Sequence, residues 1–190
     1  QVQDGRAMIV GSLYVPEGKG PFNAVLILGD SGPQDRKGNP PGDTLFWNHH
    51  QDWSRAFQKA GVAALSPDDP GTGYSVSGNE SESLSDAVLH ARAVIVWART
   101  QPALAGGKIG VLGHGEGSLV ALQLAVNGDA DFAVLVGAHG MGIGDLFLAQ
   151  SEYERKRQGV PKDVREGKLA EGRGLQRLWL DTKIDLWKAP

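Results

Sequence analysis

Lys108-Ile109-Gly110-Val111-Leu112-Gly113-His114-Gly115-Glu116-Gly117-Ser118 is the stretch on which the fold turns. Lys108 to Leu112 is a short apolar run of strand character, and Ser118 to Val126 has the length and residue types of a buried helix. Between them, Gly113-His114-Gly115-Glu116-Gly117 carries the frame of a nucleophile elbow, G-x-S-x-G, with glycine at the position of the serine. Glycine reaches positive φ at little cost, so Gly115 keeps the sharp turn and relieves its strain. It also removes the oxygen that would attack a carbonyl.

Working outward, strands and helices alternate, the pattern of a mostly parallel sheet with helices on both faces. Ala7 to Tyr14 and Ala24 to Leu28 read as strands separated by the turn-rich Pro16 to Pro21. Asp52 to Ala60 reads as a helix stopped by Gly61, and Val62 to Ser66 as the next strand. Pro67-Asp68-Asp69-Pro70-Gly71-Thr72-Gly73 suits neither element and reads as a loop. From about Ser85, Ala87, Val88, Ala91, Val94, Ile95 and Ala98 follow the spacing of one helix face. Phe132 to Val136 is the strand after the elbow helix. Beyond Gly144 the chain is charged and helix-favouring, over Asp145 to Arg157 and Lys162 to Trp187.

Composition narrows the function classes. The chain has 190 residues, 41% of them hydrophobic, and a formal charge of -3, which suits one sizeable core and an appended helical segment. No basic stretch interleaved with aromatics is present, so nucleic acid is not an expected partner. No apolar run approaches the roughly 18 residues of a membrane span, and the start at Gln1 suggests a processed or trimmed, soluble product. The absence of cysteine removes disulfides, thiolate catalysis and cysteine zinc sites, and leaves the compartment, cytoplasmic or secreted, unread.

Three ordered motifs carry a resemblance: Asp30-Ser31-Gly32-Pro33-Gln34-Asp35-Arg36, then Pro67 to Gly73, then Gly113 to Ser118. Together the chain resembles the α/β-hydrolase superfamily, in its esterase and serine-aminopeptidase-like branch, whose members read SGPxDRDG, YDDRGxGxS and GHSEG. The resemblance implies an α/β-hydrolase-like core over residues 1–144, truncated after about six strands, and a helical cap-like segment over 145–190. It places Gly115 at the missing nucleophile, and it makes the backbone N–H groups of Ser31 and Glu116 the oxyanion-hole donors. The family's acid and histidine follow later strands, and no residue here matches them. Asp30 stands where the family has a small residue and would oppose a developing oxyanion; Pro70 replaces an arginine, and Lys37 an acid. The implied protein is a hydrolase of carboxylic esters or peptides that has lost activity, without a cofactor, facing a small ester, peptide or carboxylate ligand.

Other residues compete for roles. Ser118 sits one turn into a packed helix, too deep to replace the nucleophile. His114 is expected under the elbow loop, and His139, after a strand end, near the site rim. His49 and His50 point about 100° apart on a helix, which favours a solvated helix start over a shared metal. Asp68 and Asp69 read as a structural loop. Alternative functions are carboxylate binding at the residual oxyanion loop, or nucleotide binding at the Gly113, Gly115 and Ser118 turn. A parallel edge at Phe132 to Val136 requires cover, from Leu175, Leu178, Trp179, Leu186 and Trp187 of the tail or from another copy in a homo-oligomer.

Overall fold

The computed structural model describes residues 1–5, 7–42, 46–78 and 83–187, with side chains except those of residues 143 and 178–187. The described chain forms two compact units, residues Gln1–Ala138 and His139–Pro190. The first opens with β1 (Val2–Asp4) and β2 (Ala7–Ile9), an antiparallel pair, followed by β3 (Gly11–Tyr14), β4 (Ala24–Leu28), α1 (His49–Lys59), β5 (Ala63–Pro67), α2 (Leu84–Arg99), β6 (Ile109–His114), α3 (Gly117–Val126) and β7 (Ala133–Val136). The principal sheet runs β3-β5-β4-β6-β7, with β3 antiparallel to its neighbour and the other pairs parallel. Among the described residues five strands make this sheet and two more a separate ribbon.

Strand periodicity decides the layers. In β4, Ala24 and Leu26 face a core shared with Val94 and Ile95 of α2 and Val120 and Leu124 of α3, whereas Val25 and Ile27 face Trp53 and Phe57 of α1. Because both faces of β4 are covered, it reads as an unbroken apolar run. α2 starts on a capping box: the Asp86 N–H donates to Ser83 Oγ at 3.2 Å and the Ser83 N–H donates to Asp86 Oδ2 at 2.9 Å.

Two expectations are corrected here. Ala7 to Tyr14 is not one strand: it breaks at Val10, whose N–H donates to Ser75 Oγ at 2.9 Å instead of joining a ladder. Nor is the start of α1 solvated, because His50 is only 3% exposed. β7 does end the sheet, with Val134, Leu135 and Val136 exposed. Of the tail residues expected to cover it, Leu175 belongs to the second unit, and the side chains of Leu178, Trp179, Leu186 and Trp187 lie outside the described residues.

In the second unit, α4 (Ile143–Arg157) and α5 (Lys162–Trp187) form an antiparallel helical hairpin. Arg165 pairs with Glu152, Gly172 lies against Leu148, and Gln176 reaches Asp145. Among the described residues no helix is long and apolar enough to cross a membrane.

The loops after β4 and β5 are locked together by Asp68, which is 1% exposed. Its Oδ1 accepts from the Arg36 N–H at 2.6 Å and from Arg36 Nε at 2.9 Å, while Oδ2 accepts from Arg36 Nη2 at 2.5 Å and from the Tyr74 N–H at 2.9 Å. Burial works to raise this carboxyl, but the Arg36 guanidinium and the two backbone amides outweigh it and hold it below its ordinary range. Removing the carboxylate leaves a partly buried guanidinium and two amides without their acceptor. Asp68→Ala is therefore expected to cost about 3–5 kcal/mol, read from urea unfolding of wild type and variant.

Candidate functional site

The strand, turn and helix form as read. β6 ends at His114, Gly115 adopts φ +54°, and α3 begins at Gly117. The turn is tight because strand and helix nearly touch: a Cβ on Gly117 would lie 2.4 Å from the Gly29 carbonyl oxygen, to which the Gly117 N–H donates at 3.0 Å. Crossing of β4 and α3 at such short range is what brings the loop Gly29-Asp30-Ser31 beside the elbow.

Asp30 occupies the centre of this arrangement. Its Oδ1 accepts from the Ser31 N–H at 2.8 Å and from the Glu116 N–H at 3.0 Å. These are the two amides expected to form an oxyanion hole, and they do converge on one point, which the carboxylate of the chain itself fills. The same oxygen lies 1.8 Å from where a Cβ on Gly115 would be built. Asp30 therefore stands in the volume that a side chain at position 115 would need. Glycine at 115 and carboxylate at 30 fit one another, and neither arrangement tolerates an ordinary elbow serine without moving Asp30.

The neighbouring amides of α3 are also used. The Ser118 N–H donates to the Gly115 carbonyl at 3.1 Å and the Leu119 N–H to the Glu116 carbonyl at 2.9 Å, so the helix start presents no open cradle for a phosphate. Ser118 is buried and its Oγ donates to the Gly115 carbonyl at 2.5 Å, which keeps it from acting as a nucleophile. His139 belongs to the second unit and is described apart from this site.

Two different surroundings flank the elbow. On the α1 side, His114 meets His49 and Trp53 with ring centroids 6.0 and 5.9 Å apart, and His49 meets His50 at 4.4 Å. His49 Nε2, both ring nitrogens of His50 and His114 Nδ1 are buried without a hydrogen-bond partner. Burial, reinforced by the neighbouring His49 and His114, pushes His50 down from 6.5 to about 4. His49 is likewise lowered, by burial and by His114. Among the described residues no group of three or more potential ligands has a metal-holding arrangement. The depth of this histidine cluster was invisible in the sequence; only the apolar Trp53, one turn on from His49, hinted at it.

On the α2 side, a cavity of about 330 Å³ opens against Asp30, Glu116 and Gly117. Asp69 lines it too, and accepts from the Gln34 N–H at 2.8 Å, while the Asp69 N–H donates to the Gln34 carbonyl at 2.9 Å. Burial, with Asp68 and Glu116 nearby, pushes the Asp69 carboxyl up to about 6. Asp68 and Asp69 thus stand in the structural loop expected for them, and Asp69 also faces open volume. Lys37, exposed, turns no charge toward it.

No family model and no curated protein matches the sequence. Solved structures match in fold. Dienelactone hydrolase from Anabaena variabilis superimposes with a TM-score of 0.55 at 20% identity, over 72% of this chain and 61% of that one. Est1E from Butyrivibrio proteoclasticus, with ferulic acid bound, gives 0.52 at 20% identity, over 67% and 47%. The α/β hydrolase GrgF from Penicillium sp. sh18 gives 0.54 at 17% identity, over 90% and 66%. The chain has the α/β-hydrolase fold and spans about half to two thirds of the length of these structures.

Two measurements follow from this geometry. Gly115→Ala places a methyl group against Asp30 at positive φ, and is expected to cost roughly 1–3 kcal/mol. In an Asp30→Gly background the steric part vanishes, so a double-mutant cycle by urea unfolding should return a coupling above about 0.5 kcal/mol. The histidine cluster sets the second. His50 is held below its unfolded value, so its contribution is full above pH 6.5 and is lost as pH falls toward about 4; the loss is on the order of 3 kcal/mol. Asp69 is held above its unfolded value of 3.8, so its penalty at neutral pH is relieved as pH falls through about 6. The two slopes oppose each other. Asp69→Asn should therefore steepen the loss of stability on acidification relative to wild type, and His50→Gln should flatten it, both read as urea midpoints against pH.

Proposed function

We propose that this chain is a hydrolase-fold protein, related to carboxylic-ester or peptide hydrolases, that no longer performs acyl transfer. The single observation that carries the reading is the seat of Asp30. In acyl transfer, two preorganised amides receive the charge that develops on the substrate oxygen, and a nucleophile beside them attacks the carbonyl. Here the amides of Ser31 and Glu116 already serve a carboxylate, and the same carboxylate fills the space of the absent side chain at Gly115. A substrate carbonyl would find neither donor open. It would also meet negative charge where it needs positive potential, an arrangement that raises the barrier instead of lowering it.

The same observation weighs against an external carboxylate at these amides, because an internal one holds the position. Such a ligand would have to expel Asp30, a group tethered next to its own donors and therefore at high effective concentration. The cap-like role of the helical hairpin and the correspondence of Gly115 to a lost serine belong to this proposal and rest on the three motifs.

Hydrolysis of p-nitrophenyl acetate and butyrate tests it, with wild type, Asp30→Ala and Asp30→Gly/Gly115→Ser compared at matched folding. Wild type is expected at the buffer rate. Turnover by wild type that disappears in Asp30→Ala would make Asp30 a catalyst and overturn the reading. Turnover gained only by the double variant, low because no residue matches the family's acid and histidine, would support it by showing that Asp30 and Gly115 together close the site.

A further inference from the structure

The cavity beside the elbow combines two chemistries. Its volume of about 330 Å³ lies at the small end of the range for ligand pockets. Ile9, Leu28, Ala87, Ala91, Val94 and Val120 supply an apolar wall. From the loops at the carboxyl ends of the strands, Asp30, Asp69 and Glu116 supply carboxylates. Carboxylates that serve only solubility need no apolar chamber behind them.

The charges are unevenly matched. Asp68 is neutralised by Arg36, and Asp30 is held by two amides at the start of α3. Among the described lining residues there is no lysine or arginine, and the one basic ring, His90, stands 2.8 Å from Asp4. Asp69 and Glu116 thus face the chamber with no lysine or arginine among its described lining residues.

We propose that this cavity binds a small organic ammonium ion, its N–H donors to Asp69 and Glu116 and its apolar body against Ala87, Val94 and Val120. The assignment rests on the reading of the elbow as closed to acyl transfer, and names the ligand class of the space beside it. An ammonium group brings three donors and no acceptor, which suits a rim of acceptors. A bound cation relieves the like-charge crowding, whereas a carboxylate ligand adds to it. A neutral isostere gains the wall but not the rim.

The pH dependence has a definite sign. Burial and its acidic neighbours hold the Asp69 carboxyl at about 6, so it is ionised at neutral pH and protonated in mild acid. Among the described residues, the titratable groups around the chamber are Asp68 with its Arg36 partner from the two joined loops, Asp30 and Glu116 beside the elbow, and His90, which is paired with Asp4, on the α2 wall. Affinity for an ammonium ion should rise with pH through about 6 and level off above it.

Calorimetric titration of the full chain with benzylammonium chloride, benzyl alcohol and sodium benzoate tests the assignment. Benzylammonium is expected to saturate at one equivalent. Its affinity should fall about tenfold or more in Asp69→Asn, which keeps the shape of the side chain and an acceptor for the Gln34 N–H but removes the charge. Ala87→Leu fills the wall and should abolish binding; where that variant loses its wild-type circular dichroism, Asp69→Asn decides alone. Absence of saturation up to about 10 mM, equal binding of benzyl alcohol, preference for benzoate, or unchanged affinity in Asp69→Asn each overturns the assignment. An inert protein that takes up no ammonium ion sinks the ligand class alone. Ester turnover by wild type sinks the reading of the elbow beneath it.

Discussion

One buried carboxylate organises the functional end of this molecule. Asp68 is almost wholly removed from water, a state that an ionised group sustains only when partners replace its hydration. Four donors from Arg36 and Tyr74 do so, and Arg36 in turn stacks over the Tyr74 ring at 5.4 Å. Gly73, at φ +56°, is glycine for the same reason, since a Cβ there would lie 2.3 Å from Asp68 Oδ2. The network joins the loop after β4 to the loop after β5. With the joined Gln34 and Asp69 it sets where Gly29, Asp30 and Ser31 pass the elbow. The geometry of the site depends on that placement.

Given the placement, Asp30 and Gly115 define each other. An elbow with a side chain must hold it at positive φ against the oxyanion loop, a strained arrangement that a working active site sustains for the sake of reactivity. With glycine the strain disappears and a space opens, and the nearest group able to satisfy both free amides is the carboxylate one residue before Ser31. The start of α3 adds a favourable field for negative charge at that point. The two amides thereby hold a permanent carboxylate of the chain itself.

The sheet and the order of its helices were legible because their signals are local. The apolar run Ala24 to Leu28, the strand–turn–helix at Gly115 and the helical spacing of Ala87 to Ala98 each state their element within a dozen residues. What escaped depends on distant partners. Val10 leaves the strand because Ser75, 65 residues on, takes its N–H. His49 and His50 have mostly polar neighbours in sequence, and they are enclosed by His114 arriving from β6 and by Gly38 and Gly29 lying close against their rings. The donors Ser31 and Glu116 were legible from the motif, and so was the wrong charge at Asp30. That this charge sits on those donors could not be read, because it depends on one rotamer and on the close crossing of β4 and α3.

The elbow also divides two electrostatic regimes. Toward α1 lie histidines driven neutral by burial, unable to balance any negative charge. Toward α2 lie carboxylates, one of them driven toward its neutral form by the same physical cause. In this chain neither side reaches across: among the described residues the buried nitrogens of His49, His50 and His114 have no hydrogen-bond partner, and the imidazole in the lining of the chamber, His90, is engaged with Asp4. Restoring a hydroxyl at position 115 alone therefore leaves the two halves uncoupled. The glycine turn at 115 and the seating of Asp30 are one arrangement, seen from the turn and from the loop.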